Sequence, residues 1–132
     1  MNKKDTPTPF TGGVWDTYDI PVKKYEFKNR TEITFYGLQG GPKINKSDAE
    51  ALYKCCEQTP FTSLYATWNW AEDWAEFVTW YYVTGVLYQP YEIRVYKDDS
   101  LIHSFTPMES EKVKERIPVV VEILKTLSGV EI

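Results

Sequence analysis

Glu72, Asp73 and Glu76 place three carboxylates within five residues of a segment, 63–76, otherwise dominated by Tyr65, Trp68, Trp70 and Trp74. Ionised carboxylates among apolar neighbours are costly unless they are hydrogen-bonded, paired or metal-bound. No Lys, Arg or His lies between Cys55 and Ile93 to neutralise them. Acids so placed are suited to holding a cation, to proton transfer, or to complementing a helix N-terminus. On a helix, Glu72 and Glu76 stack one turn apart, with Asp73 toward their flank.

The elements that would position these groups follow from local pattern. Asn69 is a good N-cap, and Glu72 then stands at the third helical position, where a capping box places an acid. Asp73 and Glu76 would gain from the helix dipole in the first two turns. Trp70, Ala71, Trp74, Phe77, Val78, Tyr81 and Tyr82 form a wide apolar stripe, so the spacing predicts a helix over 69–84. Trp80 and Val83 share the side of the acids, which predicts a helix buried nearly all round.

Elsewhere, residues 1–30 are rich in Pro, Thr, Gly and Lys and read as linker-like or extended. Residues 32–37 suit a short strand, and Gly40-Gly41-Pro42 breaks the chain. Ser47 and Glu50 have capping-box spacing and open a helix to about Gln58, with Ala51, Leu52 and Cys55 on one face and Pro60 beyond its end. Residues 91–97 and 101–105 alternate as half-buried strands do, joined by a turn at Asp98-Asp99-Ser100. A final helix begins near Met108-Glu109-Ser110-Glu111, presents Val113, Ile117, Val120, Val121, Leu124 and Leu127 inward, and must kink or split at Pro118. Gly129 ends it. The expected fold is α+β, one mainly helical domain with three main helices and a small antiparallel hairpin.

Composition sets the outer bounds. With 132 residues, 42% hydrophobic and 16% aromatic, the chain is long and apolar enough to bury a core. A net charge of −4 and the lack of a basic stripe argue against nucleic-acid binding. Lys3, Lys4, Lys23, Lys24, Lys28, Lys112, Lys114, Arg116 and Lys125 read as solvated surface. No apolar run approaches the ~18 residues of a membrane span. Lys3 and Lys4 lead into Asp5-Thr6-Pro7-Thr8-Pro9, which supplies no signal-peptide apolar region; localisation stays open. Cys55 and Cys56 are adjacent in a helical pattern, poorly placed for a mutual disulfide. Without a Cys/His companion set they make no zinc site, and they read as small buried or half-buried residues.

The run Tyr65-x6-Glu72-Asp73-Trp74-Ala75-Glu76, with Asn69 ahead of it, resembles the third-ligand helix of gluzincin zinc metallopeptidases, the lethal-factor-like variant most closely. The likeness covers about 15 residues tightly, and 60–64 loosely resembles the approach loop. It implies that Glu72 is a zinc ligand and Tyr65 an oxyanion-stabilising phenol. Glu76 is implied to orient a histidine ligand by accepting its second ring N–H, with Asn69 as a supporting residue; Asp73 receives no role. The departure from the family is that the chain has one histidine, His103, and no HExxH. Zinc hydrolysis needs three protein ligands, a water and a Glu base. The resemblance therefore implies the C-terminal part of a peptidase whose HExxH helix lies upstream, or a degenerate homologue, inactive alone and binding zinc weakly or not at all. The implied substrate is a peptide or protein.

Two other functional classes remain open. Paired acids with many Trp and Tyr also describe sugar clefts, where Tyr65, Trp68 and Trp70 would be stacking platforms. Glycosidase carboxylates, however, face each other across a substrate, so that reading needs a partner acid elsewhere. A non-catalytic interaction domain would use its aromatic surface to bind the missing N-terminal half or a second copy of itself.

Overall fold

The computed structural model describes residues 6–33 and 45–129. Among these it is α+β, as expected. The order is α1 (Ala49–Glu57), α2 (Trp70–Tyr81), β1 (Ile93–Lys97), β2 (Ser100–Phe105), α3 (Glu111–Lys114) and α4 (Ile117–Ser128). Short 3-10 turns occupy Lys23–Tyr25, Arg30–Glu32, Lys46–Asp48, Tyr65–Thr67 and Pro107–Glu109.

Residues 6–30 have no regular helix or strand beyond such turns and one bridge, Trp15 to Pro21. They are nonetheless part of the interior. Phe10, Val14 and Trp15 are all buried. One core cluster joins Phe10 to Phe77, Met108, Val113 and Val120; a second gathers Val14, Trp15, Phe61 and Ala66. Complete burial of a side chain such as Phe77 or Val120 contributes about 1.5–3 kcal/mol, so α2 is held to α4 and to the N-terminal segment mainly by these contacts.

Several expectations shift in detail. Glu32 ends a 3-10 turn instead of opening a strand, and the rest of 32–37 lies outside the described residues, as does Gly40-Gly41-Pro42. The reciprocal cap before α1 pairs Asn45 and Asp48, not Ser47 and Glu50. The Asn45 N–H donates to the Asp48 carboxylate at 3.0 Å, and the Asp48 N–H to the Asn45 carbonyl. The helix is entered through an extra 3-10 turn, which moves the capping position two residues upstream. That turn also rotates the inner face of α1 to Leu52 and Cys56, leaving Ala51 exposed and Cys55 half-buried. Both cysteines are free.

The hairpin forms with Ile93 opposite Phe105 and Val95 opposite His103, then shifts register between Val95 and Tyr96. Asp98 and Asp99 are its turn, at φ of 50° and 68°. Two successive positive φ values give the type I′ geometry that matches strand twist. Pro118 splits the last helical stretch: α3 is one turn, and α4 starts afresh with the proline in its first turn. Gly129 ends α4 at φ 69°, a left-handed cap that glycine adopts without strain. Leu127, expected inside, is 74% exposed, because α4 outruns the elements that cover its first two turns.

Candidate functional site

The site is built on the first two turns of α2 and the turn that precedes it. Asn69 is the N-cap: its side-chain oxygen accepts from the Glu72 N–H at 2.8 Å. The Trp70 N–H, which has no partner within the helix, donates to the Tyr18 carbonyl at 3.0 Å. The start of α2 is thus tied to the N-terminal segment as well as capped. The helix runs to Tyr81 and continues as a π turn, Tyr82–Val86.

The three acids have three different environments. Asp73 is completely buried. Its Oδ2 accepts from Trp15 Nε1 at 2.8 Å and from Arg116 Nη2 at 2.8 Å, and its Oδ1 from Arg116 Nη1 at 3.1 Å. Arg116 also donates to the Pro60 carbonyl and lies over the Phe10 ring, with its central carbon 4.3 Å from the centroid. Burial pushes the Asp73 carboxyl above its ordinary range, and the Arg116 fork and the Trp15 N–H oppose that rise. The expectation that Asp73 flanks the other acids, and that Arg116 is solvated, is corrected. Both are core groups that neutralise each other, since neither could be buried alone. The signal was present in the sequence: Asp73 lies one turn before Phe77, on the apolar stripe itself.

Glu76 is half-buried, and its Oε1 accepts from Ser63 Oγ at 2.8 Å. Ser63 Oγ in turn accepts from the Ala66 N–H at 3.1 Å, which fixes it at the start of the Tyr65–Thr67 turn. Close by, Tyr91 donates to the Thr62 carbonyl at 2.7 Å and stacks on Trp80 at 3.7 Å between centroids. Burial raises the Tyr91 phenol above its ordinary range, with Cys56 and Glu76 adding to the effect.

Glu72 is half-buried, and its carboxylate makes no hydrogen bond or ion pair among the described residues. Tyr65 sits in the 3-10 turn that packs on α2, its ring 5.7 Å from that of Trp68. This turn is anchored by a residue that sequence reasoning passed over. Arg30 is buried, donates to the Thr67 carbonyl at 2.8 Å and to the Asp19 carbonyl at 3.1 Å, and pairs with Glu26. Buried arginines therefore hold both supports: Arg30 the turn of Tyr65, Arg116 the helix of Glu72.

The described residues do not by themselves suit a zinc ion. Among them no three His, Cys, Asp or Glu side chains gather as a metal would require. His103 stands on β2, with Nε2 3.2 Å from Glu57 Oε1, within ion-pair reach but without the alignment of a hydrogen bond. Among the described residues no helix is long and apolar enough to cross a membrane. No family model, curated protein or solved structure matches the chain.

Proposed function

We propose that this chain is the C-terminal part of a zinc-dependent, gluzincin-like metallopeptidase, whose HExxH helix is supplied from outside the sequence given. Glu72 is the third metal ligand and Tyr65 the oxyanion-side phenol. Glu76 accepts from a histidine ligand supplied with that helix, and Asn69 fixes the helix start. The observation that carries this reading is the contrast between neighbours on α2. Asp73 is satisfied on both oxygens from within the chain, whereas Glu72 has no partner among the described residues. An acid left so beside one so thoroughly neutralised is suited to an external cation. Ser63 supports the role of Glu76 by occupying one of its oxygens and orienting the other. The chain alone, with one histidine, neither holds catalytic zinc nor hydrolyses peptides.

The test begins with the coding sequence ahead of Met1, where an HExxH is expected. In the intact polypeptide, Glu72→Ala abolishes zinc retention, measured by elemental analysis. Tyr65→Phe keeps the zinc and lowers the rate about 10²-fold or more, the scale of losing one oxyanion donor. Unchanged zinc content in the Glu72 variant would refute the ligand assignment. A second reading, a non-catalytic interaction domain, draws on the exposed run of Tyr82, Leu87 and Tyr88, the last 84% exposed; it gains if no HExxH lies upstream.

A further inference from the structure

On the side of α2 away from Glu72, an open groove of about 530 Å³ runs between the N-terminal segment and α4. Phe10, Tyr18, Trp70, Trp74, Ile123 and Leu127 form its apolar walls, and among the described residues no charged side chain lines it. A second groove of about 640 Å³ continues it along α4, sharing Pro9, Ile123 and Leu127 and adding one charged group, Glu122. The aromatic walls are ridged. Tyr18 meets Trp70 at 84° with centroids 5.4 Å apart, and Phe10 meets Trp74 at 87° and 5.1 Å.

We infer that this groove binds an extended, proline-containing peptide segment of another protein, with a basic residue of that segment beside Glu122. The aromatic ridges, the openness of the groove and its one carboxylate select this occupant. The first groove is open to water, so a hydrocarbon chain laid in it would leave one side wet and forfeit much of its burial. A polyproline II segment has no internal hydrogen bonds, keeps its backbone solvated and packs its rings on aromatic ridges at low entropic cost. The carboxylate at the α4 end complements Lys or Arg and repels a fatty-acid head group. Trp70 and Trp74 lie about 120–160° around the helix from Glu72 and Glu76, at ~100° per residue. The groove is therefore independent of the peptidase reading and stands or falls without it.

The experiment is a titration of the full chain, followed by tryptophan fluorescence and calorimetry, with the synthetic peptide Ala-Pro-Pro-Leu-Pro-Pro-Arg. Saturable one-to-one binding is expected. Replacing every proline of the peptide by alanine, or its arginine by glutamate, should weaken it about tenfold or more, which corresponds to about 1.4 kcal/mol. Leu127→Ser should do the same. Glu122→Lys should reverse the preference between the arginine and glutamate peptides. Both positions are exposed, so these variants keep the fold. Equal binding of the alanine peptide overturns the proposal, as does binding of a dodecyl detergent alone, no binding of any peptide, or concentration-dependent dimerisation abolished by Leu127→Ser.

Discussion

Arg116 enters the core because Asp73 is there to meet it, and the two form one energetic unit. Arg116→Met would leave the Asp73 carboxylate buried with a single donor, Trp15. Loss of one partner of a buried pair costs about 3–5 kcal/mol, and urea unfolding should show a loss of that order. The double variant Asp73→Leu with Arg116→Met should recover much of it, since no charge then stays buried unpaired. A single variant that loses less than about 1 kcal/mol would mean the pair is solvated. This contact was only half legible. That Asp73 is buried could have been read from its place one turn before Phe77. That its partner is Arg116 could not, because an arginine in a run of Lys and Glu looks like surface until the fold turns it inward.

At the scale of elements, α2 depends on its cap. Asn69→Ala should destabilise the protein by about 1 kcal/mol, and Asn69→Asp should be nearly neutral, as both residues accept from the third helical N–H. Thermal melting of the two variants checks this; equal losses would mean that the tie from Trp70 to Tyr18 carries the helix start instead. Periodicity marked out α2, the hairpin and the break at Pro118 well, because each is written in contiguous residues. The cap at Asn45 was missed because Ser47 and Glu50 offer the same chemistry two residues on, and a 3-10 turn decides between them. The turn carrying Tyr65 has no periodic signature at all; Arg30, far behind it in sequence, holds it from the carbonyl side.

Across the whole molecule, a seam of protonated groups joins α1 to the approach of the hairpin. Burial pushes the Cys56 thiol up to about 12, and burial also raises Tyr53 and Tyr91. Each keeps its proton in the folded chain at a pH where the unfolded chain has lost it. Rising pH therefore favours unfolding. Stability from Cys56 should be fully present below the unfolded thiol pKa of about 8.5 and fall toward pH ~12 by about 1.4 kcal/mol per pH unit. Urea midpoints should be level from about pH 6 to 8 and drop steadily above about 9, with a shallower drop in Cys56→Ala. A midpoint constant to pH ~11 would overturn this. The irregular residues 6–30 look dispensable from composition, yet Phe10 and Trp15 lie in the interior and Trp15 touches Asp73. Asp73 draws its donors from 58 residues before it and 43 residues after it. The Glu72 helix is consequently not a transplantable motif. A graft of 60–86 into another scaffold would carry a buried acid with nothing to balance it, so any attempt to rebuild this helix elsewhere must bring both ends of the chain along.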